Sequence, residues 1–183
     1  MAAEPLPPSG RRRDPLLGTV RVALSVMMIA AVAVTLASLT SAPLLLIWRE
    51  RVIAELSARA GMALPGELSY AITGVQLLIA ITAMLGYFFV RDLRRIIDSV
   101  ADGDPFIPDN ALRLSQMGWL AVAVQLIAIP AGALAGWISW KSHLHYVDIG
   151  FSLGGMLLAL ILFILARIFR KGAEMRDELE GTV

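Results

Sequence analysis

Apolar and polar positions along this chain alternate in long blocks. Four apolar blocks, 22–47, 70–90, 118–139 and 149–169, are each long enough to cross a hydrocarbon layer of about 30 Å at about 1.5 Å per helical residue. None carries an ionised residue near its middle. Each is predicted to be a transmembrane helix. The expected fold class is therefore an all-α membrane protein, with residues 16–183 forming one four-helix membrane domain behind a disordered tail over 1–15.

Helical spacing continues past the membrane. Leu93, Ile96, Ile97 and Val100 recur on one helical face, which predicts an amphipathic extension with Arg94, Arg95 and Asp98 facing away. Ile168, Met175 and Leu179 make a second stripe along a tail that carries Glu174, Asp177, Glu178 and Glu180. The two stripes are expected to pack into a small helical knob, basic loop against acidic tail. A freely solvated tail is the competing reading. After the first span, residues 48–61 predict a short helix ending at Gly61, with Glu55 one turn from Arg51 and from Arg59.

Within the membrane, lipid tails are as apolar as leucine, so small and polar residues carry helix association. Ala33, Ala37 and Ser41 on the first span, Ala128, Gly132 and Gly136 on the third, and Gly150 and Gly154 on the fourth are predicted to face inward. Pro43 and Pro130 are expected to kink their helices. Gln76 and Gln125 are the most polar groups at depth. An interhelical hydrogen bond explains them more simply than a substrate or gating contact. The second and fourth spans align: Tyr70 with Tyr146, Gly74 with Gly150, Leu77 with Leu153, and Arg91, Arg94 and Arg95 with Arg167, Arg170 and Lys171. Two hairpins related by an axis along the membrane normal would produce this, and so would biased composition.

Composition sharpens the membrane reading. The chain is 57% hydrophobic and 17% charged, more apolar and less charged than soluble domains. A net charge of +1 gives no global field for nucleic acid, and no direct nucleic-acid contact is expected. With no cysteine there is no disulfide, thiolate metal site or thiol nucleophile. The placement of charge says more than its total. Twelve of the sixteen Lys and Arg residues flank the termini and the loop between the second and third spans; only Arg49, Arg51, Arg59 and Lys141 lie opposite. This bias predicts that both termini are cytoplasmic. The first span is expected to be retained as an anchor, because its apolar run exceeds a signal core and Pro43 follows the small-residue stretch.

Residues 100–114, VADGDPFIPDNALRL, crowd carboxylates into a turn with two prolines. Each residue there has a structural role. Asp102 and Gly103 end a helix, Asp104 and Pro105 turn the chain, and Phe106 can fold back on the apolar stripe. Pro108 and Asp109 suit the next helix start, and Asn110 can bond local backbone. The spacing lacks the alternating oxygens and final glutamate of a calcium loop.

The run DGDPFIPDNALRLSQMGW, the tail RIFRKGAEMRDELEGTV and the four-span layout together resemble a bacterial membrane-protein family known as a domain of unknown function, number twenty-nine seventy-five. The resemblance covers nearly the whole chain after about residue 15. It implies an integral inner-membrane protein. It implies no catalytic residue, and a cytosolic helix-turn-helix regulator as partner. Related turns often carry Thr or Ser where Ile107 stands here, and Ile has no side-chain cap to offer.

Two further clusters carry candidate chemistry. His143 and His145, with Asp148 nearby, offer two nitrogens and a carboxylate for zinc or copper; a solvated interfacial loop is the favoured alternative. The basic exits at Arg91, Arg94, Arg95 and at Arg167, Arg170, Lys171 suit anionic lipid headgroups or a protein partner, together with Asp104, Phe106 and Asn110 of the turn. No cofactor is expected. Without acids or bases inside the spans, an intramembrane enzyme or a proton-coupled transporter is disfavoured. A non-catalytic signalling partner that docks a cytosolic protein is the leading expectation. A small transport, efflux-accessory or immunity-type protein, with a homo-oligomer open to either, is the alternative.

Overall fold

A computed structural model describes residues 15–101, 103–143 and 150–180. Within them the chain is helical, with no strand: α1 (Pro15–Ile47), α2 (Arg49–Ala60), α3 (Leu68–Ala101), α4 (Pro108–Ser142) and α5 (Leu153–Glu180). Four of these, all but α2, are long and apolar enough to cross a membrane, as the hydropathy blocks predicted. The tail expected over 1–15 lies outside the described residues except for Pro15, which opens α1. Pro43 and Pro130 sit inside continuous helices.

The spanning helices pack in the order α1, α3, α4, α5, with α2 against α1 and α3. Contacts along the seams fix antiparallel registers. Ser41 meets Gln76 at one end of the α1–α3 seam, and Arg21 meets Asp98 at the other. Asn110 meets Ser99, and Gly74 meets Leu134, along α3–α4. The start of α1, the turn after α3 and the end of α5 therefore share one side of the membrane. α2 ends, as predicted, at Gly61 in the left-handed region (φ 67°) on the other side.

A spanning helix needs about 20 residues. α3, α4 and α5 hold 34, 35 and 28, and their surplus lies largely on the terminal side. There they form a three-helix stub over a core of Ile96, Leu114, Met117, Leu162 and Ala166. Ile96 and the half-buried Leu93 join that core, but Val100 is exposed. The tail stripe is corrected: Ile168 and Met175 point outward, while Leu162, Ala166 and Ala173 are buried. In lipid both faces of a helix are apolar, so periodicity alone does not choose between them.

The same ambiguity governs the small-residue stripes. Ala33 and Ala37 are exposed; the inward line of α1 runs through Leu24, Ala31, Thr35, Ser38 and Ala42. Gly132 and Gly136 are half-buried on α4. On α5 the close approach belongs to Gly155, not the exposed Gly154. The expected span over 149–169 is helical only from Leu153. The aligned glycines thus differ: Gly74 lies inside α3, and Gly150 precedes α5.

Candidate functional site

The turn between α3 and α4 is built as the sequence predicts. Gly103 takes φ 90°, a conformation open to glycine at no steric cost, and its N–H donates to Val100 O at 3.1 Å. Pro108 opens α4, and Ile107 at the N-cap makes no side-chain bond. Asp102 lies outside the described residues. Asn110 organises the rest. It is 0% exposed, and its Nδ2 donates to Ser99 Oγ at 2.6 Å and to Pro105 O at 2.9 Å. Its Oδ1 accepts from Arg113 at 2.9 Å. A fully bonded buried amide of this kind fixes the turn in one conformation.

Phe106 reaches the α5 extension. Its ring packs on Phe169 with centroids 5.2 Å apart, over the space left by Gly172. Beside it Asp104 pairs with Arg176. The turn and the α5 extension are thereby joined, but the polarity is the reverse of the predicted one, an acidic turn against a basic tail residue. Lys171 and Glu174 pair within α5 at 3.3 Å.

The two basic exits differ. At the end of α3, Arg91 donates through Nε and Nη2 to Asp92 Oδ1 at 3.2 and 3.1 Å, and Asp92 is only 2% exposed. Arg95 stands 4.0 Å from the same oxygen. Arg94 and Asp98, expected to face away, reach α1. Arg94 donates to Ser25 Oγ at 3.1 Å, and Asp98 lies 2.7 Å from Arg21 Nε in an ion contact without hydrogen-bond alignment. At the end of α5, Arg167 and Arg170 are exposed and make neither an ion pair nor a hydrogen bond among the described residues. With Lys171 they line a groove of about 710 Å³ between α4 and α5.

The deep glutamines both bond between helices. Gln76 donates to Ser41 Oγ at 3.1 Å, and its Oε1 is buried without a partner. Gln125, 8% exposed, accepts the Ser152 N–H at 2.9 Å and lies over Gly155. Gln125 lies about 10 Å inside the apolar run that opens at Gly118. The first turn of α5 therefore begins within the apolar layer, and the glutamine supplies an acceptor that lipid lacks. A cavity of about 480 Å³ adjoins this point, lined by Thr82, Gln125, Gly150 and Ser152 among apolar side chains. His143 caps α4 in the left-handed region (φ 52°). His145 and Asp148 lie outside the described residues, and no three His, Asp or Glu side chains gather elsewhere among those described.

Sequence reasoning missed Asp92, Ser25, Ser99, Ser152, Arg176, Gly118 and Gly155. Asp92 had a signal, one position from Arg91 and one turn from Arg95. No curated protein and no solved structure matches the chain. The family described as "Protein of unknown function (DUF2975)" matches over residues 13–183, which include the GDPF turn, all four spanning helices and the acidic tail, so the chain belongs to that family.

Proposed function

We propose that this protein is a non-catalytic signalling or regulatory component of the bacterial inner membrane that docks a cytosolic protein on its three-helix stub. The positive-inside bias supports a cytoplasmic stub: Arg91, Arg94, Arg95 and Arg113 flank its turn, and Arg167, Arg170, Lys171 and Arg176 its tail. The observation that carries the reading is apolar exposure where the helices have left the membrane. Val100, Phe106, Leu112 and Met175 are all exposed on the stub. Exposed apolar side chains on a segment that stands in water supply contact area for a protein partner. Asn110 and the Asp104–Arg176 pair hold that surface preformed, which lowers the ordering cost of docking.

The partner that fits the family resemblance is a small helix-turn-helix regulator. Photo-crosslinking from Leu112 and Met175 in native cells tests this. A covalent adduct with such a protein, lost in Met175→Glu and absent when the crosslinker sits on α2, is the expected result. No adduct from either stub position, with adducts from α2, would overturn it.

The cavity beside the start of α5 favours one second reading, a small transport or efflux-accessory protein. Thr82→Val separates the two. Among the described residues Thr82 Oγ1 bonds its own helix, donating to Leu78 O at 2.8 Å, so the near-isosteric change spares packing. Loss of phenotype with unchanged stability would favour transport.

A further inference from the structure

The groove between α4 and α5 has the chemistry of an amphiphile site. Arg167, Arg170 and Lys171 line it at the level where the apolar run of α5 ends, with the Ser115 hydroxyl on the α4 side. Toward the membrane interior its lining becomes Phe163 and the buried Ala166. Beside and below these the outer face of α5 is apolar, with Ile164 and then Ile161, Leu160 and Leu157 exposed. One carboxylate, Glu174, shares the groove, and it is held by Lys171 at 3.3 Å.

We infer that this groove is a specific site for an anionic phospholipid, whose phosphate sits between Arg167 and Arg170 and whose acyl chains lie along Phe163 and the apolar face of α5. Three features argue for this occupant. The two guanidiniums are fully charged and have no partner among the described residues, so an anion gains their interaction. The charge lies above an apolar wall, an order that suits a lipid and not a free anion. The α3 exit, with the same run of basic residues, is already committed: Arg91 and Arg95 to Asp92, and Arg94 to Ser25. Among the described residues, the α5 exit keeps two of its three cations, Arg167 and Arg170, for a ligand. The inference needs no cytosolic partner, so its test is independent of the docking proposal.

Native mass spectrometry of the purified protein in neutral detergent reads the site directly, with phosphatidylglycerol and phosphatidylcholine as probes. Retention of phosphatidylglycerol should exceed that of phosphatidylcholine by about tenfold. Arg167→Gln with Arg170→Gln should abolish the preference, and Arg167→Lys with Arg170→Lys should keep most of it. Arg95→Gln, at the other exit, should leave it within about twofold. Inorganic phosphate at millimolar concentration should not displace the lipid. Equal retention of the two lipids, an undiminished preference in the double glutamine variant, or full displacement by inorganic phosphate would each overturn the inference. Both arginines are exposed and without a partner among the described residues, so the glutamine variant should elute and melt like the parent protein. If it does not, loss of the preference in the folded lysine pair would count against the site, since charge is retained there.

Discussion

The two basic exits look alike in sequence and behave oppositely in the fold. At the end of α3, Arg91 is drawn onto a buried aspartate and Arg94 onto α1, while the exposed Arg95 stands 4.0 Å from the same aspartate. At the end of α5 the arginines face out over an open groove. Position in the packing order explains the difference. α3 has neighbours on both sides, α1 and α4, so its charges must be satisfied within the protein. α5 sits at the edge of the row against α4. It is held there by close approach at two glycines: Gly118 faces the Phe163 ring, and Gly155 faces the Gln125 amide. Equivalent residues thus acquire a structural role in one helix and become available for recognition in the other.

Breaking these attachments should rank as follows, each read as a change in unfolding free energy in detergent. Gly155→Ala should cost most, about 3 kcal/mol, because a Cβ there must displace the Gln125 amide and leave the Ser152 N–H unpaired in an apolar layer. If it melts like the parent, α5 does not start against Gln125. Arg91→Ala should cost about 2 kcal/mol, since Asp92 is buried and the remaining cation is 4.0 Å away. Arg91 is itself 34% exposed, which keeps the figure below that of a fully buried pair. Arg94→Ala, removing one interhelical bond to Ser25, should cost about 1 kcal/mol. Arg170→Ala should change stability by less than about 0.5 kcal/mol, as expected of a surface cation with no partner among the described residues. A cost at Arg170 equal to that at Arg91 would erase the contrast between the exits.

The number of helices, the termination of α2 at Gly61 and the build of the turn were legible in the sequence, because each rests on local chemistry. Length and hydropathy set the spans, and glycine and proline set the punctuation. What faced what within the membrane was not. A buried alanine and a lipid-facing alanine satisfy the same local rules, so the spacing predicts Ala33 and Ala37 inward although they are exposed. The roles of Arg94 and Asp98 depend on α1, roughly seventy residues away in sequence, and no local pattern reports that. Local chemistry predicts a backbone partner for Asn110; its bond to Ser99 across the turn is tertiary. Spacing by four from Gly150 points to Gly154 and not Gly155, because it takes no account of α5 beginning only at Leu153.

All of this depends on the stub and α2 lying on opposite sides of a bilayer. Because the chain has no cysteine, single-cysteine variants report without background. The decisive measurement is labelling of Glu174→Cys and Arg51→Cys, both at exposed positions, by a membrane-impermeant maleimide in intact spheroplasts and in inverted vesicles. Arg51→Cys should label only in spheroplasts and Glu174→Cys only in inverted vesicles. Labelling of both from the same side would contradict the account.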